Sequence, residues 1–427
     1  MTVVLKNAQV LHHQQIVYAD ILMNRGAIQA IGRQLHGDHE VDLTGKLVLP
    51  GFIDVHVHLR EPGETDKETV QTGALAAAHG GYTTIAAMPN VVPAPDSPAR
   101  MQSQLQLNQK ATRVHVLQYA TLTKSRGERE LVDFKALKAA GAFAFSNDGA
   151  GIQTAGQMWA AMQAAAEVQR PIVAHVQDDS LFNHGVMNAG QRADQLGLRG
   201  IPAVSESAQL ARDLVLAGDS GVHYHVCHVS TAKSVQLIRQ AKAAGVHVTA
   251  EVTPHHLLLD ENFIQEDDPQ LKMNPPLRTP ADRLALLKGL RDGTIDMIAT
   301  DHAPHTKQDK VGSMATAAFG ITGLETAFNE LYTQLVQSGW CTLPELVNWL
   351  STAPAEAFNL NTGRIAVGFP ADLTVVDLET EHQIQAADFL SRGKNSPFIG
   401  DQVRGRIDQT YVNGQLVYLR GQKSEQY

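Results

Sequence analysis

The residues best suited to chemistry stand in Val48-Leu-Pro-Gly-Phe-Ile-Asp-Val-His-Val-His-Leu-Arg60. The middle of this stretch predicts a buried strand over 52–58. His56 and His58 are two apart, so on a strand both imidazoles face one side. Two neutral imidazoles side by side are a ready ligand pair for zinc or a similar ion. On the same alternation Val55 and Val57 face apolar packing. Arg60 returns to the histidine side, where its planar cation suits a carboxylate. A lone His-x-His is equally a strand that happens to carry two histidines, so the reading depends on what else converges there.

Composition narrows the classes. The chain has 427 residues, 43% hydrophobic and 19% charged, enough for one large domain plus a smaller one. A net charge of −9 and the lack of any Lys/Arg run argue against a nucleic-acid partner. Two cysteines, Cys227 and Cys341, make no disulfide framework, so a cytoplasmic location is expected. Lys6 and Asn7 break the apolar start, which leaves no signal-peptide core. No apolar run approaches the roughly 20 residues that span a bilayer.

Residues 1–50 predict short strands: Val3-Val4-Leu5, Ile16-Val17-Tyr18, Asp20-Ile21-Leu22-Met23 and Ile28-Gln29-Ala30-Ile31. They are too few for a core of their own. Beyond Gly363, Asp372–Asp377 and Gln409–Tyr418 predict further strands, the latter turning at Asn413-Gly414. We therefore expect one composite β domain from residues 1–50 and 362–427. Between them, 51–361, strands alternate with Ala-rich helical stretches. Strand candidates are 52–58, 82–88, 113–121, 141–146, 171–176, 222–229, 246–252 and 294–300. Eight such units predict an α/β fold of the (β/α)8 barrel type, with its active site at the strands' C-terminal ends. A doubly wound sheet is the alternative, but no GxGxxG follows the first strand.

Those strand ends carry His56, His58 and Arg60; Asn90; Asp148; His175; His228; and Asp301. Each alone reads as a turn or capping residue. Four histidines and two aspartates at one barrel end are costly to dehydrate without a counter-ion, and two divalent cations would relieve that cost. Other histidines fit less well. His12, His13, His36 and His39 fall in the terminal domain. His223 and His225 have the opposite strand parity to His228 and should face the helices. His255 and His256 follow strand 7 within reach of the site. His302 is expected to be structural, and His184 lies in an irregular connection.

Asp54-Val-His-Val-His-Leu-Arg60 with Glu61-Pro-Gly63, Met88-Pro-Asn90 and Ala299-Thr-Asp-His-Ala-Pro-His305 resembles the dihydroorotases of the amidohydrolase superfamily, over nearly the whole chain. The resemblance implies zinc ligands His56, His58, His175, His228 and Asp301, two Zn2+ per chain, and Asp301 as catalytic acid–base. It implies substrate contacts from His58, Arg60, Asn90, Asn274, His305, Phe319 and Gly320. Asn274 lies in a matching Asn-Pro-Pro-Leu-Arg segment. Many relatives bridge their metals with a carbamylated lysine at strand 4. Here Gly141-Ala-Phe-Ala-Phe-Ser-Asn-Asp148 has none, which is similar to the type I bacterial group, and Asp148 becomes the candidate second-metal or bridging ligand. Gln177 and Ala318 depart from the common pattern and leave the surroundings of His175 open.

The implied reaction is the reversible closure of N-carbamoyl-L-aspartate to L-dihydroorotate and water in pyrimidine synthesis. Residues 306–317, with Lys307, Lys310 and Gly312, read as a mobile segment that could close over the site. The implied partner is a small-molecule substrate, with neither nucleic acid nor membrane; a homodimer or association with another pyrimidine-pathway enzyme stays open. A hydantoinase or allantoinase would share the metal site, but Arg60 with Asn90 suits a carboxylated ring. A non-catalytic assembly partner should have lost ligands, and none is lost.

Overall fold

The computed structural model describes residues 1–111, 113–127 and 129–422. The chain opens with β1 (Thr2–His12), β2 (Gln15–Asn24), β3 (Ala27–Gly32), β4 (His39–Asp42) and β5 (Leu47–Pro50). The two short strands expected at 16–18 and 20–23 are one continuous strand, paired with β1 along its length. The barrel strands follow: β6 (Phe52–Val57), β7 (Tyr82–Ala87), β8 (His115–Gln118), β9 (Ile172–Ala174), β10 (Tyr224–Val226), β11 (Val248–Val252) and β12 (Met297–Ile298). The chain ends in β13 (Leu373–Asp377), β14 (Arg406–Val412) and β15 (Gln415–Leu419).

Both ends of the chain build one eight-stranded sheet, in the order β15-β14-β13-β5-β1-β2-β3 with β4 beside β1. Its keystone is β5, parallel to β1 on one side and antiparallel to β13 on the other. The Asn413-Gly414 turn has both residues at positive φ (49° and 70°), as a two-residue hairpin between right-twisted strands requires. We place the division between sheet and barrel at residues 50–51 and 361–362. The joint at Gly51 is tight, since a Cβ there would lie 2.2 Å from Thr83 Oγ1. Across it, Thr374 Oγ1 donates to Gly81 O and Thr410 Oγ1 to Ala78 O, seating the sheet on the end of the helix Val70–His79.

The barrel closes through parallel neighbours. β6 pairs β7, and β7 pairs β8. β9 pairs β10, β10 pairs β11, and β11 pairs β12. The strand expected at 141–146 is reduced to one ladder position, Phe145, bridging Ala120 on one side and Ile172 on the other. Val57 and His302 close the ring. The other barrel strands, β11 excepted, also stop short of their expected ends. Arg60, His228 and Asp301 have φ of 60°, 32° and 51°, so the backbone leaves extended conformation where the ionisable residues begin.

Alternation along β6 is broken by a register shift between Asp54 and Val57. Val55 therefore packs in the barrel interior with Met88, Tyr119, Val173, Cys227 and Met297, over a floor of Ala355 and Phe358. Val57 packs instead with Leu59, Val70 and Ala74 in the layer beneath the helices. The expectation that Val55 and Val57 share a face fails for this reason. Among the described residues no helix is long and apolar enough to cross a membrane.

One buried carboxylate staples the closing seam. Asp54 accepts from Thr300 N at 3.1 Å, Thr300 Oγ1 at 2.5 Å and His56 N at 3.0 Å. Asp54→Ala leaves these buried donors without an acceptor and should lower unfolding stability by about 2–4 kcal/mol. Urea unfolding of the metal-free protein measures this, with a reduced midpoint at unchanged slope as the expected result.

Candidate metal centre and active site

The six expected ionisable residues meet at one end of the barrel. Ligand-capable atoms of His56, His58 and Asp301 lie within 4.8 Å of one another, as do those of Asp148, His175 and His228. All six residues are buried. Asp148 stands between the two groups. Its Oδ1 is 3.4 Å from His56 Nε2, 3.9 Å from His228 Nε2 and 4.0 Å from His175 Nδ1, while Oδ2 is 3.5 Å from His58 Nε2. Asp301 Oδ1 lies 3.0 Å from His58 Nε2 and 3.4 Å from His56 Nε2.

The donor set fits divalent cations. His56 Nε2 and Asp148 Oδ1 are fully buried and lack a hydrogen-bond partner. Separations near 3.4 Å match neighbouring ligands on an ion with bonds of about 2.0–2.2 Å. The 2.9 Å between His175 Nδ1 and His228 Nε2 requires a proton or a cation between two lone-pair nitrogens. Imidazole and carboxylate suit zinc and its neighbours.

Charge follows the geometry. Burial would push Asp148 upward, but His56, His58 and His175 around it hold its carboxyl well below the usual range. Asp301 is likewise depressed, burial being outweighed by His56, His58 and His228. Burial disfavours the His56 cation, yet Glu251 and Asp148 raise it well above an ordinary histidine. Burial, with His175 and His56 nearby, lowers His228 to about 3.

Glu251 is a functional candidate absent from the sequence reading. It sits in β11, accepts from His56 Nδ1 at 2.6 Å, and meets His225 Nε2 at 3.0 Å with its other oxygen. The His56 Nδ1–H is thereby taken, which aims the Nε2 lone pair at the centre. The available signal was a lone carboxylate inside the strand Val248-Thr-Ala-Glu-Val252. His225 does not face the helices as its parity suggested. It is buried, bonded to Glu251 and edge-on to Phe358 at 5.0 Å. The left-handed His228 breaks the alternation that linked the two positions.

Several of the remaining candidates contact one another or the metal-ligating residues. His58 Nδ1 bonds Asn90 Oδ1 at 2.9 Å. Arg60 arrives by its left-handed backbone and not by strand parity, since β6 ends at Val57. Its Nε donates to Pro304 O at 3.2 Å, and Nη2 lies 3.4 Å from His305 Nε2. His305 Nε2 also meets Phe319 O at 2.8 Å. Gly320 has φ 126°, and a Cβ there would lie 2.7 Å from Ala303 Cβ. Asn274 Nδ2 donates to Gln177 Oε1 at 2.8 Å, so Gln177 is tied to Asn274. His255 is buried beside His256, whose Nε2 meets Pro275 O; neither joins the clusters of metal-ligating groups. His302 Nδ1 accepts from Gly323 N at 3.3 Å, a structural role.

The 306–317 segment is pinned in this structure. Lys310 is buried, and its Nζ donates to Lys272 O, Ala318 O and Gly320 O at 3.0, 3.0 and 2.9 Å. Met314 N donates to Asp267 Oδ1. A sequence rich in Lys and Gly read as mobile because these acceptors lie elsewhere in the chain.

A parallel barrel of seven strands and one bridged segment, with a histidine–carboxylate centre at its mouth and a sheet made from both termini, defines a metal-dependent cyclic amidohydrolase. Residues 45–234 match the family model described as dihydro-orotase-like. A dihydroorotase of Lactiplantibacillus plantarum is 60% identical over 98% of this chain and 99% of its own length. One of Pediococcus pentosaceus is 56% identical over 98% and 100%. The solved L-hydantoinase (dihydropyrimidinase) of Arthrobacter aurescens superimposes with a TM-score of 0.89 at 27% identity, covering 98% of this chain and 96% of that one. The chain belongs to the dihydroorotase family.

Removing the carboxylate behind His56 tests the centre. Glu251→Gln should weaken zinc affinity by about 10–100-fold while leaving the fold intact. Competition with a chromogenic chelator measures the affinity, and circular dichroism checks the fold. An unchanged affinity would exclude Glu251 from orienting His56.

Proposed function

We propose that this chain catalyses the reversible cyclisation of N-carbamoyl-L-aspartate to L-dihydroorotate with loss of water, the dihydroorotase step of pyrimidine synthesis. The observation that carries it is a buried arginine, Arg60, whose guanidinium meets Pro304 O and His305 Nε2 beside a buried histidine–carboxylate centre. Two ions, taken as Zn2+, would be held by His56, His58 and Asp301 and by His175 and His228, with Asp148 as a further ligand. When bound, such ions polarise the ring carbonyl and lower the pKa of water towards about 7.

The chain's own residues do the rest. Arg60 answers the ring carboxylate with two parallel hydrogen bonds, and Asn90 assists. His305 is neutral, lowered to about 3 by burial and then by Arg60. With Nε2–H donated to Phe319 O, its buried Nδ1, which makes no hydrogen bond and lies 3.7 Å from Asp309 Oδ2, is left as an acceptor for a substrate N–H. Asn274 and the main chain of Phe319 and Gly320 complete the ring's surroundings. In hydrolysis Asp301, held ionised by the imidazoles, takes the proton from the attacking water and passes it to the leaving nitrogen.

The structural likeness to a hydantoinase (dihydropyrimidinase) makes an uncarboxylated cyclic amide the second reading. Metal-loaded protein should turn over dihydroorotate far faster than dihydrouracil or hydantoin. Arg60→Lys should keep its metals and lose on the order of 2–4 kcal/mol in kcat/KM for dihydroorotate, because one ammonium cannot reproduce the fork. Equal turnover of the three substrates, or an unchanged Arg60→Lys, would reverse the assignment.

Proton traffic gives a separate expectation. Hydrolysis needs Asp301 ionised and ring closure needs it protonated, so hydrolysis should rise with pH through one ionisation while closure falls through a similar one. The apparent pKa belongs to the coupled centre as a whole. Asp301→Asn should slow both directions by roughly 10²–10⁴. Initial rates against pH in both directions, at matched metal content, decide it; near-parent rates in the Asn variant exclude the role.

A further inference from the structure

Four successive carbonyls at the mouth of the site are each met by a side-chain donor. Ala317 O accepts from Lys272 Nζ at 2.6 Å, and Ala318 O from Lys310 Nζ at 3.0 Å. Phe319 O meets His305 Nε2 at 2.8 Å. Gly320 O accepts from Lys310 Nζ at 2.9 Å and Asn395 Nδ2 at 3.1 Å. The third Lys310 donor goes to Lys272 O, which also accepts from Gly320 N. Lys272 Nζ sits 4.2 Å from the centroid of the Phe319 ring.

Both lysines are 3% exposed. Among the described residues neither makes an ion pair with a carboxylate. Burying a cation without a counter-charge is costly. Burial, and then Lys272, push the Lys310 ammonium down to about 7. The three donors of one ammonium are matched by three carbonyls, two of them flanking Phe319. A planar arginine fork has a different donor geometry.

We propose that Lys310, supported by Lys272, is a positioning residue for the substrate: it fixes the Phe319–Gly320 main chain beside the metal centre and ties the 306–317 segment down onto it. This rests on the reading that the Phe319–Gly320 main chain meets the substrate ring. Without the ammonium, three buried carbonyls lose their donor and the segment samples open states. Binding must then select the ordered fraction, so apparent affinity falls by that fraction while chemistry in the ordered complex is little changed.

The test uses metal-loaded, full-length protein and L-dihydroorotate. Lys310→Met should raise KM about 10–100-fold with kcat within about threefold of the parent, at parental metal content. Hydrogen exchange in peptides covering 306–320 should quicken in the same variant, and exchange in the β6 strand should not. If Lys310→Met does not fold, Lys310→Arg and Lys272→Met carry the same readouts. An unchanged KM with parental protection of 306–320 overturns the proposal, as does a loss confined to kcat. A parent that does not turn over dihydroorotate sinks the substrate reading instead, and Lys310 is then judged by the exchange measurement alone.

Discussion

The carboxylate of Asp148, buried among four imidazoles at 3.4–4.0 Å, is the constraint around which the molecule is arranged. Six ionisable side chains out of water repel, dehydrate at a cost and leave orphaned atoms unless something binds them. The histidines carry Asp148 and Asp301 below ordinary carboxylate values, and Glu251 with Asp148 raises His56. A bound metal would complete the neutralisation. The same groups in water would lack this coupling, since screening would remove most of it.

Holding such a cluster requires rigid supports from distant parts of the chain. β6, the strand-4 segment, β9, β10 and β12 each bring one or two members, and β11 brings Glu251 behind His56. Arg60, His228 and Asp301 reach their places through left-handed backbone, an unfavourable conformation that only surrounding bonds can maintain. The Asp54–Thr300 staple holds the closing seam directly beneath His56 and Asp301. The terminal sheet has a mechanical part as well, since Thr374 and Thr410 cap the Val70–His79 turn region. Asn395, far along the chain, bonds His305 N, Ala303 O and Gly320 O.

The hydantoinase likeness shows how one barrel serves several cyclic amides. On the function proposed for this chain, selection among cyclic amides would fall to Arg60, Asn90, Asn274, His305 and the 317–320 main chain. The 317–320 main chain is held by two buried lysines drawn from different connections, Lys272 and Lys310.

Much of this protein is legible in its residues taken in order. Apolar runs at roughly 30-residue intervals, with His, Asp or Asn at their ends, imply the barrel and its active end. His56, His58, His175, His228 and Asp301 are local signals, because each stands at or just beyond the end of an apolar strand run. Asp148 needed only the absence of a strand-4 lysine to stand out. Parity arguments failed wherever the backbone turned left-handed or bulged: for Arg60, for Val55 against Val57, and for His225, which lies inside the barrel. The strand at 141–146 shrank to a single ladder position, Phe145, bridged to Ala120 and Ile172. Glu251, Lys272, Lys310 and Asn395 carried no local mark of function. Each is an ordinary polar residue until folding brings its acceptor or donor from tens to hundreds of residues away, and only tertiary structure makes that meeting.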